Sequence, residues 1–307
     1  MNIVVIDQGL NQQYVEDLGG VFGGGMSAFA DGKLKSPGVG DVAYSSLPKR
    51  HGSMLLRSIV DLAPNARVFD LPLLPRRIDD VDNFTLNAAF TKFLFGLFHD
   101  LDQGPWIFLN AWGIIDRFAE PIRGDYTANL SHPLNWLTRI IGQNSDVVYA
   151  AGNSGQFCAD PRAPGYDRIP GQAVFGANGL PEVTCVSAVR SDGEWIGASS
   201  QGAGPFMFGD ERDEKPDLAA PSWFTETNDA TMRSTGTSAA SAVVAGSIAA
   251  LRQGWSPKMV SPAEMRTVLR RSARKVSRGD WNERTGAGVI DLAAAIEMLT
   301  KRFGPPE

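Results

Sequence analysis

Six short stretches of largely apolar residues, the first of them β-branched, punctuate the chain, and between them the apolar positions return at helical spacing. The first, Asn2-Ile3-Val4-Val5-Ile6, ends in Asp7-Gln8-Gly9. Runs without polar alternation suit strands buried on both faces of a parallel sheet. Further strands are predicted at 66–71, 106–113, 146–155 and 183–189, with a short sixth at 215–221. Between them, 54–60 reads as a short apolar helix ending before Pro64. Residues 83–100 place Phe, Leu and Ala among polar positions at helical spacing, as a helix covering the sheet. Another covering helix is predicted at 133–143, entered through His132-Pro133. Ser261-Pro262-Ala263-Glu264 is a capping box with Pro at the first helical position. The helix it opens sets Arg266, Arg270, Arg271, Arg274 and Lys275 opposite Met265, Val268 and Leu269, a solvated basic face. Residues 286–291 start a last strand and helix. Strands alternating with helices predict α/β architecture: one three-layer domain over 1–307 with a mostly parallel sheet.

One stretch breaks the amphipathic rule. After the turn Ser234-Thr235-Gly236-Thr237, residues 238–251 are built from Ala, Val, Ser, Gly, Ile and Leu. A helix with small or apolar residues all round has no solvent face and belongs at the centre of a domain. Ser238 sits where the turn becomes the helix, beside free backbone N–H groups and the positive end of the dipole. A hydroxyl held there can attack a carbonyl, and the resulting oxyanion meets backbone donors. Alternatively, Thr237 and Ser238 merely cap a core helix.

Composition narrows the function classes. At 307 residues and 43% hydrophobic content, the chain can bury a sizeable core. Its 29 basic and 34 acidic residues leave a formal charge of −5, which argues against a nucleic-acid partner. The N-terminus shows no signal peptide, and no stretch has the length of a membrane span, so no membrane partner and a cytoplasmic location are expected. Cys158 and Cys185 and the scattered His51, His99 and His132 lack metal-ligand spacing, so no metal cofactor is expected. Free thiols are expected at both cysteines. Asp79, Asp80 and Asp82 read as a solvated helix start in preference to a weak calcium site, although calcium stays open. The glycines at 19–25 do not follow the first strand directly and lack G-x-G-x-x-G spacing, which weakens a nucleotide-binding reading. They read as a flexible surface loop.

Asp7, His51 and Ser238 then stand at three junctions between strand, loop and helix. Nucleophilic acyl transfer needs a hydroxyl, an imidazole to take its proton and a carboxylate to fix the imidazole tautomer. Asn153 adds an amide at a glycine-lined strand end, suited to a developing oxyanion. Here the sequence closely resembles the subtilisin-like serine peptidases, the subtilases. Asp7-Gln8-Gly9 is similar to that family's D-[ST]-G, and His51-Gly52-Ser53 to its H-G-T-H. Residues Ala150-Ala151-Gly152-Asn153-Ser154-Gly155 are similar to A-A-G-N-x-G, and Gly236-Thr237-Ser238-Ala239-Ala240-Ser241 to G-T-S-M-A-[ST]. Weaker echoes are Asn110-Ala111-Trp112-Gly113, Lys215-Pro216-Asp217 with Ala220-Pro221, and Gly286-Ala287-Gly288.

The resemblance implies a subtilisin-like fold and a serine endopeptidase acting through an acyl-enzyme. It makes Ser238 the nucleophile, His51 the general base and then acid, and Asp7 the orienting carboxylate. Asn153 and the Ser238 N–H would form the oxyanion hole. Ala111, Trp112 and Gly113 would wall the pocket opposite Ala150, Ala151 and Gly152, clamping an extended polypeptide substrate. Met54 replaces the second His of H-G-T-H, Leu56-Arg57 replace a small Gly, and Ala242-Val243 replace the usual Pro-His. These changes imply altered packing behind the triad. Only six residues precede Asp7, where the family's inhibitory pro-segment normally lies. Maturation without a cis pro-segment, with a regulatory or chaperone partner in trans, is one expectation, and a missing N-terminal part the other. The rival class is a pseudo-protease that keeps the fold as a peptide-binding or scaffold module.

Overall fold

A computed structural model of the protein describes residues 1–28, 34–35, 51–74, 78, 80–101, 104–114, 119–122, 124–156, 173–202, 214–225 and 233–307. The apolar runs become the strands of one sheet. These are β1 (Asn2–Asp7), β2 (Val21–Gly25), β5 (Arg67–Pro72), β6 (Trp106–Asn110), β7 (Asp146–Ala150), β8 (Val183–Val189) and β9 (Leu218–Pro221). Two-residue strands form separate ribbons, β3 (Ser27–Ala28) with β4 (Leu34–Lys35) and β10 (Phe224–Thr225) with β11 (Arg233–Ser234). The helices are α1 (Gln12–Asp17), α2 (Leu56–Leu62), α3 (Val81–Phe98), α4 (Pro133–Asn144), α5 (Gly236–Leu251), α6 (Pro262–Ser272) and α7 (Leu292–Phe303).

The seven main strands lie in the order β2-β5-β1-β6-β7-β8-β9, every neighbouring pair parallel. Alternate strand residues serve two cores. Ile3 and Val5 of β1 and Ile107 and Leu109 of β6 pack with α2, α5, α6 and α7. Val4, Ile6, Trp106 and Phe108 face the other way, onto α3 and α4. The sheet is therefore the middle of three layers. Strand order reverses between β1 and β6, and open α/β sheets bind ligands at the carboxyl ends of strands flanking such a point.

The centrality of α5 follows from its composition. Thirteen of its residues are buried. Its Gly246 lies against α2, where a Cβ would come within 2.8 Å of the Ser58 carbonyl oxygen. The start of α2 carries Leu56 and Arg57, and it is α5 that supplies the glycine at this crossing.

Several expectations need correction. The glycines at 19–25 do not form a free loop: residues 21–25 are the edge strand β2, paired with β5. A side chain on Gly23 would meet the Phe69 ring at 2.7 Å, and one on Gly25 the Asp70 carbonyl oxygen at 2.2 Å. Pairing at the sheet edge overrides the low strand propensity of glycine. The anticipated strand at 286–291 is reduced to isolated bridges of Gly286 and Val289 to β9 and Arg274. The short α1, capped by the Asn11 side chain, has too few apolar positions to reveal a period. Strands anticipated to reach Gly113 and Gly155 stop at Asn110 and Ala150, leaving their glycine-rich ends as loops.

Candidate active site

Each candidate residue arrives at the carboxyl edge of the sheet for a local reason. Asp7 is the last residue of β1, fully buried, with one carboxylate oxygen accepting from the Gln8 N–H at 2.7 Å. His51 opens the turn before a short 3-10 helix, Ser53–Leu55. That turn sits directly on the end of β1: a Cβ on Gly52 would come within 2.7 Å of the Gly9 carbonyl oxygen and 3.2 Å of Asp7 Cβ. The Ser53 hydroxyl pins the turn by accepting from the Asn11 N–H at 2.9 Å. So placed, His51 Nδ1 lies 2.9 Å from both Asp7 carboxylate oxygens. With Nδ1–H turned to the carboxylate, the neutral ring keeps its Nε2 lone pair for another proton. Burial lowers the His51 pKa, but the charge of Asp7 and its hydrogen bond outweigh that and raise it above the ordinary value of 6.5.

Ser238 lies in the first turn of α5 and is buried. Gly236 at the start of that helix has φ +71°, and a Cβ there would meet the Asn153 carboxamide at 2.7 Å. The Asn153 carboxamide is oriented by Thr237, whose N–H and hydroxyl both donate to Asn153 Oδ1, at 3.0 and 3.2 Å. The Thr237 hydroxyl also accepts from the Gly152 N–H at 3.1 Å. Asn153 Oδ1 is thus engaged, and its NH₂ is the group left to serve a ligand. The Ser238 N–H, in the first turn of a helix, has no acceptor among the described residues.

The structure brings Asp7 and His51 into contact but not His51 and Ser238. The Ser238 hydroxyl donates instead to the Ala111 carbonyl at 3.0 Å. Catalytic hydrogen bonds are often unmade in ligand-free enzymes and form in the substrate complex.

The two pocket segments, 111–113 and 150–152, are joined by a residue the sequence did not single out. Asn178 lies in a 3-10 turn, Gly176–Gly179, just ahead of β8. Its buried side-chain NH₂ donates to the Trp112 carbonyl at 2.8 Å and the Ala150 carbonyl at 2.7 Å, one on each side of the pocket. Gly113 makes room for it, since a Cβ there would lie 2.8 Å from Asn178 Nδ2. The turn is held by Tyr126, whose hydroxyl accepts from the Ala177 N–H, and by Gly176 donating to the Thr127 carbonyl. An Asn flanked by glycine and alanine ahead of an apolar strand was the only trace of this in the sequence.

Other expectations fall elsewhere. Asp80 caps α3 by accepting from the Asn83 N–H, as a helix start does, while Asp79 is outside the described residues. Cys185 is a buried free thiol whose pKa burial drives up; Cys158 is outside the described residues. Lys215 and Asp217 form a buried ion pair, and Asp217 also accepts from the Cys185 N–H, tying β9 to β8.

Comparison with known proteins agrees with this architecture. The chain belongs to the subtilase family (peptidase S8), whose sequence profile matches residues 64–288. The match takes in Asn153 and Ser238 and begins after Asp7 and His51. No curated protein matches the chain in sequence. Among solved structures, the prenylagaramide maturation protease PagA superposes with a TM-score of 0.63 at 17% identity, over 98% of this chain and 94% of that one. Fervidolysin from Fervidobacterium pennivorans, a keratinolytic enzyme related to subtilisin, gives 0.64 at 18% identity over 97% of this chain and 42% of its own. The Aeromonas sobria serine protease, solved with its chaperone ORF2, gives 0.66 at 17% identity over 98% and 60%. At these identities the likeness is one of fold. The subtilase family supplies the function class, a serine protease hydrolysing polypeptide.

Proposed function

We propose that the protein is a serine endopeptidase in which Asp7, His51 and Ser238 act as a triad and Asn153 serves the oxyanion. The observation that carries this reading is the doubly close Asp7–His51 pair at the sheet edge where α5 presents Ser238.

In this mechanism an extended substrate enters between the Ala111–Gly113 and Ala150–Gly152 segments. The Ser238 hydroxyl turns from the Ala111 carbonyl to His51 Nε2 and attacks the scissile carbonyl as its proton passes to the imidazole. Asp7 stabilises the imidazolium that forms, and the imidazolium then protonates the leaving amine. Negative charge developing on the carbonyl oxygen meets the Ser238 N–H and the Asn153 NH₂, which Thr237 has already oriented at no reorganisation cost during the reaction. Water, deprotonated by the same imidazole, releases the acyl group. A trans-acting chaperone or regulator belongs to the same proposal; the chaperone bound to the Aeromonas sobria protease is a precedent for it.

A fluorophosphonate tests the assignment. It should modify Ser238 alone, and Ser238→Ala should abolish both labelling and cleavage of an unfolded protein. Stoichiometric labelling of another serine would overturn it.

A further inference from the structure

The helix α3 carries large apolar residues on both sides although only one side is covered; the outward side also presents Asn83 and Asn87, which bond to each other near its start. Inward, Phe84, Ala88, Ala89 and Phe95 pack onto the sheet. Outward, Leu86, Phe90, Phe93 and Leu97 are 48%, 53%, 51% and 65% exposed. The charged residues of the helix are Asp82, at its start, and Lys92, which is buried, so the outward face carries no charge. A helix with apolar residues all round is ordinarily covered all round. Trp136 and Ile140 of the adjacent α4 are exposed as well, at 56% and 40%.

The order of the exposed residues indicates what covers them. Leu86, Phe90, Phe93 and Leu97 are spaced four, three and four apart, which is the seam of two packed helices. The series Leu-Phe-Phe-Leu also reads the same in both directions about a point midway between Phe90 and Phe93. An antiparallel copy of the helix therefore sets Leu86 against Leu97 and Phe90 against Phe93, each contact occurring twice. Gly96, on the same register, falls opposite Asn87. Self-complementarity of this kind is what an isologous two-fold interface requires. The area is also adequate. At on the order of 100 Å² of exposed surface for each half-exposed large side chain, these six residues offer roughly 600 Å² of apolar surface per copy. A standard interface buries about 800 Å² per partner, about two-thirds of it apolar in homodimers.

We propose that the outward face of α3, with Trp136 and Ile140 of α4 beside it, joins two copies of this chain about a two-fold axis between Phe90 and Phe93. The interface is independent of the peptidase reading, because none of its residues belongs to the candidate active site.

Sedimentation equilibrium of the full chain, from micromolar to submillimolar concentration, should give twice the 33.0 kDa chain mass. Phe90→Glu/Phe93→Glu should return it to a single chain with an unchanged circular dichroism spectrum. A wild-type monomer throughout, open-ended growth, or a dimer indifferent to the two glutamates would each overturn the proposal. Should the glutamate variant fail to fold, cysteines decide the matter. Leu86→Cys/Leu97→Cys should oxidise to a covalent dimer, since residues eleven apart on one helix lie roughly 16 Å from each other and cannot bridge within a chain. The parent chain, with its own Cys158 and Cys185, is the blank. Efficient cross-linking by Leu86→Cys alone would indicate a parallel register and sink the two-fold arrangement.

Discussion

His51 is pulled in two directions, downward by burial and upward by the Asp7 carboxylate and its hydrogen bond, and the upward pull wins. A general base works when neutral, so kcat/KM should rise through a pKa above 6.5. Asp7→Asn removes the upward pull and leaves burial. The midpoint should then move below 6.5 while the rate itself drops, through the lost tautomer control. An unmoved midpoint in a pH–rate profile would show that Asp7 does not govern the imidazole. The stability sign is opposite to the activity sign. Because the folded pKa is raised, the pair's contribution is fully present below the unfolded pKa of about 6.5 and fades as pH rises through the folded value. Asn178 is a positioning residue under this reading, since it touches the pocket walls and not the reacting atoms. Asn178→Ala leaves the Trp112 and Ala150 carbonyls without their donor. A cost of about 1–3 kcal/mol is expected, read as roughly a tenfold higher KM for peptide with kcat less affected. Asn178→Asp, the same shape with a second acceptor in place of the donor, should be no better. Loss of melting temperature with unchanged KM in both variants would reduce Asn178 to scaffolding.

At the scale of elements, α5 and the strands were legible because their burial is written in composition: uninterrupted β-branched runs for β1, β7 and β8, and small residues for α5. The glycine edge strand β2 was not, because its pairing with β5 is a non-local fact that local propensity opposes. The candidate residues Asp7, His51, Asn153 and Ser238 carried sequence signals, each standing in a motif at a strand or helix end. Asn178 did not, since it acts on carbonyls of two segments 66 and 28 residues away. The same holds for the anchor at the far end of α5. Arg252, buried at the C-cap, bonds the two carboxylate oxygens of Asp146 at 2.7 and 2.9 Å and also donates to the Trp255 and Val260 carbonyls. It fixes the helix against the start of β7, so that its other end presents Ser238. Arg252→Met would leave the Asp146 carboxylate buried and alone, which costs about 3–5 kcal/mol. Urea denaturation should show that loss. A change below about 1 kcal/mol would mean Asp146 finds water or another donor, as exposed pairs do.

For the molecule as a whole, the pH dependence of stability is governed in part by a lysine in the core. Lys92 projects from α3 into the layer shared with β7, 2% exposed, with its Nζ donating to the Tyr149 hydroxyl at 2.9 Å and lying 5.9 Å from the Trp112 ring centroid. Burial pushes its pKa from 10.5 down to about 7. Between pH 7 and about 10.4 the unfolded chain therefore binds a proton that the folded chain does not, and stability rises with pH across that window. Below pH 7 both states are protonated and the full penalty applies. At pH 7 the penalty, relative to a lysine already neutral, is roughly 4 kcal/mol. Replacing the amine by an apolar chain of similar length removes the penalty and keeps the packing on the Trp112 and Tyr149 rings, at the loss of the hydrogen bond to the Tyr149 hydroxyl. Lys92→Met should accordingly gain several kcal/mol in unfolding free energy at pH 7, and much less at pH 10. The difference between the two proteins, measured by urea denaturation at a series of pH values, isolates Lys92 from His51, whose contribution runs with the opposite sign and is common to both. A gain that is the same at pH 7 and pH 10 would show that Lys92 stays charged in the fold, its ammonium held by Tyr149 and the faces of the two rings.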